Sequence, residues 1–80
     1  MQVPIHRIAP LTSAYRCRPD AVRRYVTMLR EGQKAPPIAL IKQRPHGCYR
    51  YRVSDGAHRL RAAKRVGRTT IEAVIMAADP

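Results

Sequence analysis

The segment spanning residues 53–66 joins a turn signal to a run of basic, helix-compatible residues. An alternating strand pattern ends at Val53, Asp55-Gly56 is a strong turn dipeptide, and the residues after it suit a helix that begins near Gly56 or Ala57. The first backbone N–H groups of a helix lack intrahelical partners and carry the positive end of the helix macrodipole. Because such a junction attracts anions, the sequence predicts a phosphate-binding site here.

Arg59 departs from the amphipathic pattern of this predicted helix. At helical spacing, Arg61 falls on a basic stripe with His58, whereas Arg59 falls within the apolar arc. A guanidinium in an open cleft can bind two phosphate oxygens with its planar fork. Alternatively, Arg59 forms a structural ion pair with Asp55 or with the C-terminal carboxylate. The candidates for binding phosphate or a nucleotide are Gly56, Ala57, His58, Arg59 and Arg61.

Asp55 and His58 are the candidates for catalysis in this segment. A histidine can donate a proton or contact a phosphate near neutral pH, and Asp55 could serve as a metal ligand or base. Metal-dependent phosphodiester cleavage normally needs converging carboxylates, but the five acidic residues are scattered along the chain. A turn residue that caps the helix is therefore the favoured role of Asp55. The histidines and cysteines show no zinc spacing, so no metal site is predicted.

Basic residues outnumber acidic ones by 16 to 5, which gives a formal net charge of +11. Residues 42–68 contain nine basic residues and one acidic residue, so the charge is concentrated around the predicted phosphate site. Genomic codon bias would explain the excess of arginine over lysine but not the shortage of acids. The balance predicts a polyanionic partner, bound through phosphate contacts and weakened by salt. The nucleic-acid-binding candidates are Arg50, Arg52, Arg61, Lys64 and Arg65, with the two strand residues beside the three helix residues.

The elements that position these residues follow the order β, α, β, β, α, β. This order predicts an α+β fold in which two helices pack on a small mixed β-sheet, within one domain covering residues 1–80. Alternation places Tyr49, Tyr51 and Val53 on the core face of one strand, with Arg50 and Arg52 on the other. The predicted elements are a strand at 3–8, a helix from Pro19 to a Gly32 cap, a strand at 38–42 covered on both faces, a turn at 44–47, a strand at 49–54, a helix ending at Gly67, a strand at 70–76 and a frayed tail at 77–80.

Residues 55–67 resemble the phosphate-binding box of the ParB/sulfiredoxin superfamily, whose members show a Gly-x-x-Arg core that opens a helix. Four further segments fall in the family's order: an opening strand with Val3-Pro4-Ile5, the helix ending in Gly32, the segment at 37–40 and a closing strand at 71–75. The resemblance covers nearly the whole chain. It implies the fold of this superfamily and a stand-alone domain of the N-terminal ParB type.

The two branches of the superfamily imply different chemistry for this box. Sulfiredoxins carry Gly-Cys-His-Arg, but this chain has Ala57 in place of the cysteine, so cysteine catalysis is not expected. ParB proteins carry Gly-Glu-Arg-Arg-x-Arg-Ala, which Gly56, Arg59, Arg61 and Ala62 match. Because the matching residues are those expected to hold phosphate oxygens, the resemblance implies nucleotide binding rather than hydrolysis.

We therefore expect a ParB-like domain that binds phosphate groups of DNA or of a nucleotide, CTP or ATP, at residues 55–61. A ParB-like nuclease or nucleotide-dependent phosphotransferase is the enzymatic alternative. The third hypothesis is an accessory interaction domain with a decayed site, whose charges bind an acidic protein partner. Assembly with another protein or with further copies of the chain is left open. A nucleotide with Mg²⁺ is the cofactor that the resemblance allows. Two cysteines, without a signal peptide or long apolar run, favour a cytoplasmic chain with reduced thiols and no membrane contact.

Overall fold

Four strands form one mixed sheet in the order β1-β4-β2-β3. The computed structural model describes residues 1–11 and 17–76, apart from the side chains of residues 45 and 46. The β1–β4 and β2–β3 pairs are antiparallel, whereas β2 and β4 are parallel. The α+β prediction is confirmed, and the predicted tail at 77–80 lies outside the described residues. The elements are β1 (Gln2–Pro4), α1 (Pro19–Arg30), β2 (Ile38–His46), β3 (Tyr49–Asp55), α2 (Ala57–Arg65) and β4 (Thr70–Met76).

The first strand is shorter than predicted. A 3₁₀ turn, Ile5–Arg7, follows β1 directly, so the predicted strand at 3–8 was wrong beyond Pro4. The N–H of Ile5 donates to Thr69 O at 2.9 Å, and the chain then crosses to the opposite edge of the sheet, where Ile8 forms a parallel bridge with Tyr51. The segment that leaves β1 therefore contacts β3, and the sheet is curled.

Both helices end as the sequence predicts, at glycines with positive φ. Gly32 has φ 75° after α1, and Gly67 has φ 83° after α2. In each case two backbone N–H groups bond back to the last helical turn: Gly32 N to Leu29 O and Gln33 N to Met28 O after α1, with the equivalent pair after α2. This pattern is the Schellman motif, which satisfies carbonyl groups that a helix end leaves without partners.

The hairpin of β2 and β3 has a later turn than predicted. The structure continues β2 to His46 and turns at Gly47-Cys48, so the predicted turn at 44–47 was wrong. Gly47 has φ 61°, as a two-residue hairpin turn with glycine at its first position requires. Pro45 cannot donate to a strand partner, and the irregular register between Lys42 and His46 accommodates it.

Both helices lie on the same side of the sheet. Leu60 and Ala63 of α2 join the main core cluster with sheet residues such as Leu40 and Val53, whereas α1 packs chiefly on α2. The opposite face of the sheet leaves Val74 57% exposed and Met76 47% exposed. In β2 the residues on that face, Ala39 and Ile41, are half-buried, whereas Ile38 and Leu40 are fully buried, so the prediction that both faces of β2 are covered was only partly correct. Among the described residues, no helix combines the length and apolarity needed to cross a membrane.

Candidate functional site

Gly56 connects β3 to α2 and occupies a position that only glycine fits. It is buried and has φ 107°, a backbone conformation that other residues rarely adopt. A Cβ atom built at Gly56 would approach Ile38 Cγ2 to 2.5 Å and Ile38 Cβ to 2.7 Å. The close contact with β2 fixes the start of α2 against the sheet, at the end where the helix has unpaired N–H groups.

Arg59 lies in the first turn of α2 and is anchored by three hydrogen bonds. Its Nη1 donates to Pro36 O at 3.1 Å and to Pro37 O at 2.7 Å, and its Nη2 donates to Asp55 Oδ2 at 3.2 Å. The side chain is 14% exposed, whereas that of Asp55 is 80% exposed. The sequence left open whether Arg59 binds phosphate or forms a structural ion pair. The contact with Asp55 is such an ion pair. Two of the five guanidinium N–H donors remain without an acceptor among the described residues.

His58 connects the first turn of α2 to the start of α1. Its Nε2 accepts a hydrogen bond of 2.9 Å from the backbone N–H of Arg18, the residue that precedes α1. An imidazole nitrogen that accepts a hydrogen bond carries no proton, so in the neutral ring Nδ1 is the donor. The sequence did not predict this contact, because its partners are 40 residues apart.

Asp55 does not cap α2, contrary to the favoured prediction. The N-cap residue is Gly56, and α2 has no side-chain cap hydrogen bond. Asp55 instead directs its carboxylate toward Arg59, one helical turn later. No group of three or more His, Cys, Asp or Glu side chains converges as a metal site within the described residues.

A cleft of about 370 Å³ opens at the N-terminus of α2. The backbone N–H groups of Ala57, His58 and Arg59 have no acceptor among the described residues; the first amide bonded within the helix is that of Leu60, which donates to Gly56 O at 2.9 Å. Three helix donors and a fixed guanidinium therefore lie at one cleft. Its lining residues are Tyr25, Val53, Ser54, Asp55, Gly56, Ala57, His58 and Arg59.

This combination of a glycine-fixed helix start with an arginine three residues later is the box predicted from the sequence. The sequence model of the ParB N-terminal domain matches residues 1–80. The chain belongs to this family. The resemblance to the ParB/sulfiredoxin superfamily is thereby confirmed. Comparison with curated proteins finds no significant match.

Solved structures of both branches of the superfamily are similar to this ParB-type domain. Sulfiredoxin from Arabidopsis thaliana superposes with a TM-score of 0.77 and 25% identity, over 98% of this chain and 86% of that one. The C-terminally truncated chromosome-partitioning protein ParB from Caulobacter crescentus is similar in two complexes. With CTP-γ-S the TM-score is 0.76 at 22% identity, and with the centromeric parS site it is 0.74 at 23% identity.

The ParB-type domain spans less than half of those ParB chains. Each superposition includes 99% of this domain. It includes 44% of the ParB chain with CTP-γ-S and 41% of the ParB chain with the parS site. At these identities, the two ParB structures establish the fold of the domain.

The five nucleic-acid-binding candidates of this ParB-type domain are divided between two surfaces. Arg61, Lys64 and Arg65 are exposed on α2. Arg52 pairs with Ile41 and shares a sheet face with Arg50, whereas the alternate residues Tyr51 and Val53 face the core on the side where α2 packs. The strand residues therefore do not lie beside the helix residues as predicted, because α2 covers the other face of the sheet. Whether any of these side chains binds nucleic acid stays a prediction.

Tyr25 and Arg59 separate the cleft from a second, larger cavity of about 680 Å³. That cavity lies between the segment preceding β2 and the β1–β4 pair, where Lys34 and Arg68 contribute positive charge. Tyr25 of α1 lines both cavities, and it was not among the site residues predicted from the sequence. A tyrosine on an apolar stripe carries a polar end, and this was the available signal that the position borders a cleft.

Glu72 is the acidic group whose pKa is clearly altered within the described part of the chain. Its Oε1 accepts a hydrogen bond of 2.9 Å from the N-terminal ammonium of Met1, and its Oε2 accepts one of 2.7 Å from Gln2 Nε2. The hydrogen bond from the ammonium lowers the pKa of the Glu72 carboxyl below its ordinary value, against an opposing effect of desolvation. This group borders the second cavity and takes no part in the cleft at α2.

Proposed function

We propose that this ParB-type domain binds phosphate groups, of a nucleotide or of DNA, at the first turn of α2. The observation that carries the proposal is the helix start itself. Three successive N–H groups without acceptors among the described residues open into a cleft, and no side chain caps them. The positive end of the macrodipole favours an anion at that position before any charged side chain contributes.

Gly56 gives this helix start its rigidity. Its lack of a side chain lets the start of α2 lie directly against Ile38 of β2, and helical geometry sets the spacing of the amide donors. Fixed donors bind an anion without first losing conformational freedom, which is the advantage of a preorganised site. A cleft of about 370 Å³ falls within the range of small-ligand sites.

Arg59 supplies this site with a positive charge whose position is fixed. Its contacts with Pro36 O, Pro37 O and Asp55 hold the guanidinium at the edge of the cleft. The two remaining N–H donors are available for phosphate oxygens. Arg61 is exposed on the same helix and adds a second positive charge near the helix start.

The similar ParB structures supply the class of ligand. One holds CTP-γ-S and another the parS site, so nucleotides and DNA are the phosphate sources proposed for this domain. When Mg²⁺ accompanies a nucleotide, it screens the charge of the phosphates, and Asp55 is the carboxylate that lines the cleft in the described structure.

The proposal is one of binding. Asp55 and His58, the candidates for catalysis, each make a structural hydrogen bond, to Arg59 and to Arg18. Ala57 has no nucleophilic group, and no observation favours the nuclease or phosphotransferase alternatives over binding.

The test is a nucleotide titration monitored by ¹H–¹⁵N NMR. CTP, ATP and inorganic triphosphate, each with and without Mg²⁺, are added to the domain while the backbone amides are followed. We expect the largest shifts at Ala57, His58 and Arg59, and weaker binding in Arg59→Lys and Arg61→Ala. Arg30→Ala, which removes an exposed charge from the far end of α1, is the matched control and should bind normally. Shifts spread over all basic surfaces, or none at any ligand concentration, would refute the proposal.

A further inference from the structure

We infer that the tip of the β2–β3 hairpin binds the phosphate backbone of duplex nucleic acid, separately from the site at α2. Five basic residues, which we call the hairpin cations, carry this inference. The inference goes beyond the function proposed above, because none of these residues lines the cleft at α2. The hairpin cations are Arg7, Lys42, Arg44, Arg50 and Arg52.

The hairpin cations have no carboxylate partners within the described structure. The sequence contains no acidic residue between Glu31 and Asp55. In the described part of the chain, the ion pairs connect Met1 with Glu72, Arg18 with Asp20, and Arg59 with Asp55, and none involves the hairpin cations. A group of like charges without internal compensation produces a positive potential that attracts a polyanion.

Two of these cations are held at the turn by main-chain carbonyl groups. Nη1 of Arg50 donates to Gly47 O at 3.1 Å and to Tyr49 O at 3.2 Å. From the 3₁₀ turn, Nη1 of Arg7 donates to Cys48 O at 3.4 Å. Both guanidinium groups are therefore held against the main chain of residues 47–49. Like charges at one turn repel each other, and a bound anion offsets that repulsion.

The hairpin tip has the shape of a two-stranded ribbon. In the described structure, β2 pairs with β4 over residues 38–41, and residues 42–46 have β3 as their strand neighbour. A two-stranded ribbon fits the major groove of duplex DNA. Arg50 lies on this ribbon and Arg52 lies at its base, opposite Ile41. The two residues share one strand face about 6.8 Å apart, so their guanidinium groups can contact separate phosphates of one DNA strand.

The composition of the tip favours nucleic acid over an acidic protein. Protein interfaces depend on large apolar or aromatic anchors that become buried, and the exposed large hydrophobic residues of the described structure are Met1, Val74 and Met76, all outside the hairpin tip. Backbone contacts to nucleic acid need only charge and spacing. The hairpin supplies both.

The experiment measures binding to a short duplex of mixed sequence over a range of salt concentrations. Arg44→Ala/Arg52→Ala removes two exposed hairpin cations whose side chains form no hydrogen bond or ion pair with the described residues. Arg23→Ala/Arg24→Ala removes two exposed charges from α1 and is the control of equal net charge. We expect the hairpin variant to bind about 10-fold more weakly at moderate salt, with a log–log salt slope smaller by about 2, roughly one unit for each phosphate that is no longer neutralised. The α1 variant should keep the wild-type slope.

Equal losses in the two variants would overturn the inference, because they would show that net charge alone attracts DNA. Binding of polyglutamate by the wild type, without binding of the duplex, would overturn it in favour of an acidic protein. The CTP titration separates the two proposals. The hairpin variant should bind CTP normally, and if the wild type binds CTP but not the duplex, the hairpin inference fails while the site at α2 stands.

Discussion

The first turn of α2 and the tip of the β2–β3 hairpin are both basic, but they hold their charges differently. In α2, Arg59 is nearly buried and contacts a carboxylate, and the unpaired donors belong to the main chain. At the hairpin tip the charged groups are side chains that have no carboxylate partners in the described structure. Arginine thus has a structural role at the start of α2 and supplies exposed positive charge at the hairpin tip.

The difference between main-chain donors and exposed charged side chains determines which ligands each region suits. Under the function proposed above, the main-chain donors at the start of α2 would select an anion by shape, because the helix fixes their spacing. Exposed guanidinium and ammonium groups follow any line of phosphates, and their binding falls steeply with salt. Three sets of variants and one titration test whether the two regions differ as described.

The largest expected effect comes from adding one methyl group to each glycine turn. Gly56→Ala combines an unfavourable φ with a clash against Ile38, and we expect it to lower the free energy of unfolding by about 3 kcal/mol. Gly47→Ala at the hairpin turn also has positive φ, but its new methyl group meets nothing within 4 Å and should cost about 1 kcal/mol. Urea unfolding of both variants measures the difference. Equal losses would show that α2 is not fixed by its contact with β2.

Removing one arginine from each region should separate a structural cation from an exposed one. Arg59→Ala loses three hydrogen bonds and should cost about 2 kcal/mol. Arg52→Ala removes an exposed side chain and should change stability by less than about 0.5 kcal/mol. Thermal unfolding at matched ionic strength compares them. A larger loss for Arg52→Ala would reverse the assignment of the two roles.

His58 tests whether the box also holds α1 in place. His58→Ala removes the acceptor for the Arg18 N–H and should cost about 1 kcal/mol. His58→Gln, whose amide oxygen can reach the position of Nε2, should recover part of that loss. Hydrogen exchange at the Arg18 amide provides a direct measurement. Unchanged exchange in His58→Ala would show that this hydrogen bond does not order the start of α1.

Glu72 provides the smallest effect and a reference outside both regions. Because its folded-state pKa is lowered, this carboxyl contributes stability above its ordinary pKa, and the contribution is lost as the pH falls through the lowered value. An NMR titration of Glu72 should give a midpoint below that of an ordinary glutamate, and acetylation of the Met1 amine should raise it. A midpoint that acetylation leaves unchanged would exclude the ammonium as the cause.

The sequence predicted local features of the fold more accurately than contacts between distant segments. The two glycine caps, the start of α1 at Pro19 and the bounds of β4 were correct, because each depends on neighbouring residues. The end of the first strand was wrong because Ile5 is drawn into a 3₁₀ turn beside Thr69, which lies near the other end of the chain. Local periodicity contains no information about such a contact.

The candidate site was predicted in the same uneven way. The turn at Gly56 and the helix after it followed from the sequence, as did the family. The carbonyl partners of Arg59 did not, since Pro36 and Pro37 precede a different strand. The division of the basic residues into two surfaces also requires knowledge of the sheet face on which α2 packs, and a single sequence does not specify that face.

Gly56 and Arg59 also contact residues 36–38, and these contacts join the two strands of the hairpin at its base. They tie the residues before β2 to those after β3, while Gly47-Cys48 closes the other end. We expect a ribbon closed at both ends to open as one cooperative unit, so that its base and its tip share a single opening equilibrium. A phosphate that stabilises the start of α2 would then slow hydrogen exchange along both strands, including amides that it never contacts.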